Sequence, residues 1–75
     1  MGWENMPQKY IESECSSDKL MKKPRWVRTA LARIIWDLSD RRGIGNEWER
    51  IDEGTKDEIR LVWAKAIEES EKEKF

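Results

Sequence analysis

The chain has 75 residues, 37% hydrophobic and 41% charged, and its 15 Lys and Arg against 16 Asp and Glu leave a net charge of −1. That composition describes one small domain with a charged surface around a thin core, too small for a two-domain enzyme or a roomy catalytic cleft. No run approaches the roughly 18 apolar residues of a spanning helix, and Met1 to Asp18 lacks the basic start and apolar centre of a secretory signal.

With 0 His and a single Cys, neither the usual zinc ligand sets nor an internal disulfide can be assembled. The expectation is a cytoplasmic protein with no cofactor, no metal and no membrane association. Cys15 reads as an incidental thiol in an N-terminal arm. Charge is unevenly distributed: Met1 to Ser16 carries net −2, Ser17 to Gly43 net +5 and Ile44 to Phe75 net −4. Such a split suits either two long helices attracting each other or a basic patch for an acidic partner, and the first is favoured.

Residues 1–23 read as an arm with one short helix, in which Pro7 suits a first turn and Gln8 to Glu14 form two turns that expose Tyr10 and Ile11. The Ser16, Ser17, Asp18 cluster interrupts it, Leu20 and Met21 form a second short apolar patch, and the arm is expected to order only by packing on the helices or on a second chain.

Residues 24–75 read as a helical domain with helices at about 24–42, 47–51 and 56–72. Pro24 fits the first helical position, Gly43 the residue past the end, and Arg41 and Arg42 complement the dipole of the last turn. At about 100° per residue from Val27, Leu31 falls near 40°, Ile34 near −20°, Leu38 near 20°, Ile35 near 80° and Ala30 near −60°, one apolar stripe. Trp36 falls near 180°, away from that stripe, beside Thr29 and Ala32.

Asn46 with Glu49, and Thr55 with Glu58, have the spacing of two capping boxes, predicting a short helix from Glu47 and a last helix from Lys56. On the last helix Ile59, Val62, Trp63, Ala66 and Ile67 form the inward stripe, Leu61 points out, and the tail from Glu68 to Lys74 is expected to fray. The fold class is therefore all-α, a small helical hairpin of two long helices joined by a short helical turn, with an N-terminal arm. Ile44, Trp48 and Ile51 close one end of the core. A core this small, without disulfide or metal, points to association, so a homodimer or other homo-oligomer, or folding strengthened by a protein partner, is expected, using Trp36 with Leu61 and Trp26.

The residues give little support for catalysis. Neighbouring carboxylates such as Asp57 and Glu58 point about 100° apart on a helix rather than converging, and no His is present to activate Ser16, Ser17, Ser39, Ser70 or Cys15. The segment from Asp37 to Glu49 is no calcium loop, because Arg41 and Arg42 occupy its fifth and sixth positions. The expectation is a binding module and not an enzyme. Trp36 is the candidate partner-binding anchor, surrounded by Arg33, Asp40, Arg28, Arg25 and Trp26; the competing reading has Trp36 covering the arm or a dimer mate. A second function class is nucleic-acid binding through Lys19, Lys22, Lys23, Arg25, Trp26 and Arg28, cations for phosphates around an indole for stacking. A third is a purely structural homo-oligomer.

From Ala30 to Ile67, around the motif RRGIGNEWERIDEGTKDEI at Arg41 to Ile59, the chain resembles short phage-encoded helical proteins in which a helix ending Arg-Arg-Gly is followed by a bulky residue, a short acidic helix, Asp and a final helix. The resemblance implies a phage or prophage origin and carries no activity over to any residue. It implies a protein that binds and blocks a host enzyme or defence complex in the host cytoplasm.

Overall fold

The computed structural model describes residues 2–72, with side chains over 4–71, and among these the only regular elements are helical. A 3-10 turn at Gly2–Asn5 precedes α1 (Gln8–Glu14), α2 (Asp18–Met21), α3 (Arg25–Ser39), α4 (Ile44–Arg50) and α5 (Glu53–Lys72). Helix α3 packs on α5, α4, α1 and the 3-10 turn, while α2 packs on α5.

The N-terminal helices α1 and α2 pack on α3 and α5. Ile11, Cys15 and Leu20 are buried, and Cys15 and Leu20 join Val27, Leu31, Ile35, Trp48 and Ala64 in one core. Ile11, expected outside, is inside because α1 lies on α3. The Ser17 side chain caps α2 by accepting from the Leu20 N–H at 3.3 Å. The Cys15 thiol donates to the Arg28 carbonyl at 3.7 Å, so it is a core group rather than a mobile thiol.

The helix bounds differ from the sequence expectation for local reasons. Pro24 is the N-cap of α3, with φ −58 and ψ 153, and its carbonyl accepts from Val27 and Arg28. Helix α3 stops at Ser39 because the next turn tightens: Asp40 bonds to Asp37 and Arg41 to Leu38, three residues back rather than four. Gly43 is in the left-handed half of backbone space at φ 85, the position only glycine tolerates without strain. It starts α4 rather than finishing α3, since its carbonyl accepts from the Glu47 N–H at 3.0 Å. Asn46 therefore sits exposed inside α4 and caps nothing.

Gly45 has another role. A Cβ there would overlap the Ser39 carbonyl, so only glycine lets α4 turn back this tightly on α3. At α5 the cap is Asp52, not Thr55: the Asp52 carboxylate accepts from the Thr55 N–H at 3.1 Å and the Thr55 hydroxyl at 2.9 Å. These bonds hold the Asp52 carboxyl below the usual carboxylate range. Helix α5 thus begins at Glu53 and stays helical to Lys72, with Lys23 Nζ on Glu68 at 2.8 Å and the Ser70 hydroxyl on the Ala66 carbonyl at 2.8 Å. Lys74, part of the tail expected to fray, lies outside the described residues.

Both long helices are turned relative to their predicted stripes. On α3 the buried set is Val27, Leu31, Ala32 and Ile35, whereas Ile34 is 46% exposed; the inward face is rotated roughly 60° toward Trp36. On α5 the buried set is Lys56, Arg60 and Ala64, whereas Val62 is 65% exposed and Ala66 is exposed, a rotation of roughly 100°. Leu61, expected outside, packs against the core. The N-terminal helices cause the shift, because they add a second apolar surface beside the one the long helices offer each other.

Candidate interaction surface

The N-terminal segment covers the Trp expected to face outward. Tyr10 of α1 meets Trp36 edge-on, with ring centroids 4.9 Å apart and planes at 81°, the geometry the aromatic quadrupoles favour. Burial and the nearby Glu14 carboxylate push the Tyr10 hydroxyl up to about 12, against an opposing hydrogen bond with Ser39. Trp36 is half-buried and in contact with the N-terminal segment through this ring pair.

The residues expected around Trp36 do not gather into one patch. Arg25 and Arg33, with Thr29 between them, line a groove of ≈ 350 Å³ that Glu4, Gln8 and Ile11 close from the N-terminal side. Asp40 is exposed at the C-cap of α3. Arg28 turns inward, its Nε donating to the Lys23 carbonyl at 3.2 Å, and Trp26 is half-exposed on another edge of α3. The basic run is divided in the same way. Lys23 is paired with Glu68, and Lys19 lines a groove with Asp57 and Glu58, while Lys22 is exposed.

Arg60 is a buried cation that sequence patterning did not reveal. Its guanidinium meets the Glu14 carboxylate at 3.1 Å through Nε and Nη2, Asp57 at 2.8 Å and Glu53 at 3.5 Å, and lies 5.8 Å from the Trp48 ring centroid. Lys56 Nζ is 5.4 Å from the same ring, and Trp63 stacks on Trp48 with centroids 5.7 Å apart. Burial works against the Arg60 cation, but Glu14, Asp57 and Glu53 outweigh it and raise its affinity for the proton. A guanidinium locked charged between carboxylates and an indole is a structural clasp between α1, α4 and α5, with no proton to exchange near neutral pH.

The open surface lies on another side of the α3–α5 pair. Leu38, Ile44, Trp48, Ile51, Ile59 and Trp63 line a groove of ≈ 200 Å³ whose open lining is apolar, with Glu47 at its edge. On α3 the apolar edge continues from Leu38 back through Ile34, Ala30 and Trp26 at four-residue steps, and each of these is half-buried or exposed. On α5 it continues from Ile59 and Trp63 to Val62 and Ala66. Ile44, expected to close the core, is 49% exposed here because the Gly43 reversal swings the start of α4 outward. The residues that the sequence assigns to the core and the structure leaves open, Ile34, Ile44, Val62 and Ala66, are thus all on or beside one face.

No family model matches the chain, and no curated protein or solved structure matches it. Among the described residues no helix is long and apolar enough to cross a membrane, and no group of three or more Asp, Glu or Cys could hold a metal ion.

Proposed function

We propose that this protein is a protein-interaction module that acts by occupying a partner's surface, with the open apolar face of α3, α4 and α5 as its docking surface. The observation that supports this reading is the apolar groove between Leu38 and Ile59, flanked by exposed Ile34, Ile44 and Val62. Exposed apolar side chains in one contiguous patch mark an interaction surface far more often than singly scattered ones do. The basic run supports nucleic-acid binding less, since Lys23 and Arg28 are engaged inside the fold.

The scaffold of the face is an antiparallel pair: Lys23, just before α3, pairs with Glu68 late in α5, and Leu38 late in α3 shares the groove with Ile59 early in α5. The resemblance of the Arg41–Ile59 turn to phage-encoded proteins makes a host protein the partner class, and blockade of a host enzyme or defence complex in the cytoplasm the mode of action. Trp36, engaged with Tyr10, gives up the role of anchor to Ile34, Ile44 and Val62.

Affinity capture from host lysate tests the reading. The Ile34→Glu/Val62→Glu double variant is expected to keep its helical circular dichroism, because both side chains are exposed, and to lose the captured protein. Undiminished capture by that variant overturns the proposal.

A further inference from the structure

The two rims of the apolar face carry opposite charge. On α3 and the turn that follows it, Arg33, Asp37 and Arg41 stand one residue before and three and seven residues after Ile34, two cations and one acid, with Arg41 Nε on the Asp37 carboxylate at 2.9 Å. On α5, Glu58, Lys65 and Glu69 stand four residues before and three and seven residues after Val62, two acids and one cation. The surrounding segments agree in sign, net +5 from Ser17 to Gly43 and net −4 from Ile44 to Phe75.

A surface with one positive and one negative rim is complementary to itself. If a two-fold axis runs along the helices in the plane of the face, rotation lays each α3 on the mate's α5, with positive rim against negative rim at both edges and Ile34 and Val62 enclosed between them. The alternative two-fold packing, α3 on α3 and α5 on α5, brings like charges together. We infer that a second copy of this chain covers the open face, α3 of each protomer lying antiparallel against α5 of the other in a four-helix core. Packing of this kind resembles an antiparallel bundle, whose seam needs an apolar stripe flanked by complementary charges. It also encloses apolar side chains that a chain of 75 residues, with no second Cys for a disulfide, otherwise leaves in water.

The inference rests on reading this face as a docking surface and adds its occupant in the free protein. Partner binding then competes with self-association, so the two share Ile34 and Val62.

Sedimentation equilibrium on the whole chain, over a concentration series up to roughly 1 mM, is the test. The wild type is expected to be a dimer that dissociates on dilution, and Ile34→Glu/Val62→Glu a monomer of unchanged helix content. Charge swaps then read the arrangement. Glu58→Lys/Glu69→Lys makes both rims positive and Arg33→Glu/Arg41→Glu makes both negative, so each variant alone is expected to dimerise at least roughly tenfold more weakly. An equimolar mixture of the two is expected to recover a heterodimer of near wild-type affinity. A wild type monomeric throughout the series, an undiminished Ile34→Glu/Val62→Glu dimer, or no recovery on mixing overturns the inference. A monomeric wild type whose partner capture is still abolished by Ile34→Glu/Val62→Glu overturns self-association alone and leaves the docking reading standing.

Discussion

Glu14 and Arg60 are 46 residues apart in sequence and 3.1 Å apart in space, and this contact ties the N-terminal helix to the middle of the last one. The guanidinium is buried and the carboxylate nearly so, and Asp57, Glu53 and the Trp48 ring fill the remaining sides of the cation. A buried pair of this kind contributes little net energy while intact and costs much when one partner is removed, because the other charge is left without its counterpart.

Arg60→Ala is therefore expected to destabilise the fold by about 3 kcal/mol in urea unfolding, and Arg60→Lys by a smaller but distinct amount, since an ammonium cannot reproduce the fork. The double variant Glu14→Gln/Arg60→Met is expected to recover part of the loss. An Arg60→Ala protein as stable as the wild type would show that the clasp carries no weight.

Tyr10 is the chain's 1 tyrosine, so its ionisation can be followed alone by ultraviolet difference absorbance. Its pKa in the fold is about 12, raised first by burial and then by Glu14, against about 10 in an unfolded chain. The neutral hydroxyl is the form the fold prefers, so its contribution is fully present below about pH 10 and is lost as pH rises through 12. The expected outcome is a phenol transition displaced upward and coincident with loss of near-ultraviolet dichroism. A free transition near pH 10 with the fold intact would mean that α1 does not cover Trp36.

Cys15 is a direct probe of N-terminal docking. Its thiol is buried and its pKa is raised by that burial and by the neighbouring Glu14, both of which suppress the reactive thiolate. Labelling by an aromatic disulfide reagent at pH 8 is expected to be slow in native protein and fast in denaturant, with Tyr10→Ala intermediate. Equal rates in native and denatured protein would contradict the docked arrangement.

The two glycines of the α3–α4 turn should fail differently. Gly45→Ala places a methyl group on the Ser39 carbonyl, and the forced separation of α3 and α4 is expected to cost about 1–3 kcal/mol and to perturb the Trp48 near-ultraviolet signal. At Gly43 there is open space, so Gly43→Ala is expected to lose stability through its positive φ alone, with packing around Trp48 unchanged. If Gly45→Ala proves neutral, the close approach is wrong.

The all-helical class and the main break points were legible in the sequence, and the facing of the helices was not. Gly43 marked a reversal, and Trp48 and Trp63 were assigned inward; the first is buried, and the second stacks on it half-buried. The orientation of α5 was misjudged because hydropathy counts Lys56 and Arg60 as polar, although their long stems fill space beside Trp48. Ala32 and Ala64 fall near 140° on their wheels, outside the stripes centred on the larger apolar side chains, yet both are fully buried where neighbouring helices approach closely.

The docking of α1 and α2 left still less trace. Helices of 7 and 4 residues show too few turns for a periodicity, and what orders them is contact with residues far along the chain. The open face was hidden by the opposite error. Ile34 and Val62 look like core residues in any pattern, and only the position of the N-terminal helices shows that the core is complete without them.

The long reach of the N-terminal contacts also bears on how the protein comes into being. Glu14 finds Arg60, and Lys23 finds Glu68, across 46 and 45 residues of chain, so neither contact exists until α5 has left the ribosome. During synthesis Ile11 and Cys15 meet their α3 neighbours once that helix has emerged, whereas Leu20, on a helix that packs on α5, waits for the last helix. A chain stopped short of α5 therefore leaves Leu20 and the α5-facing side of α3 in water, a state open to non-specific association until the last helix closes over it.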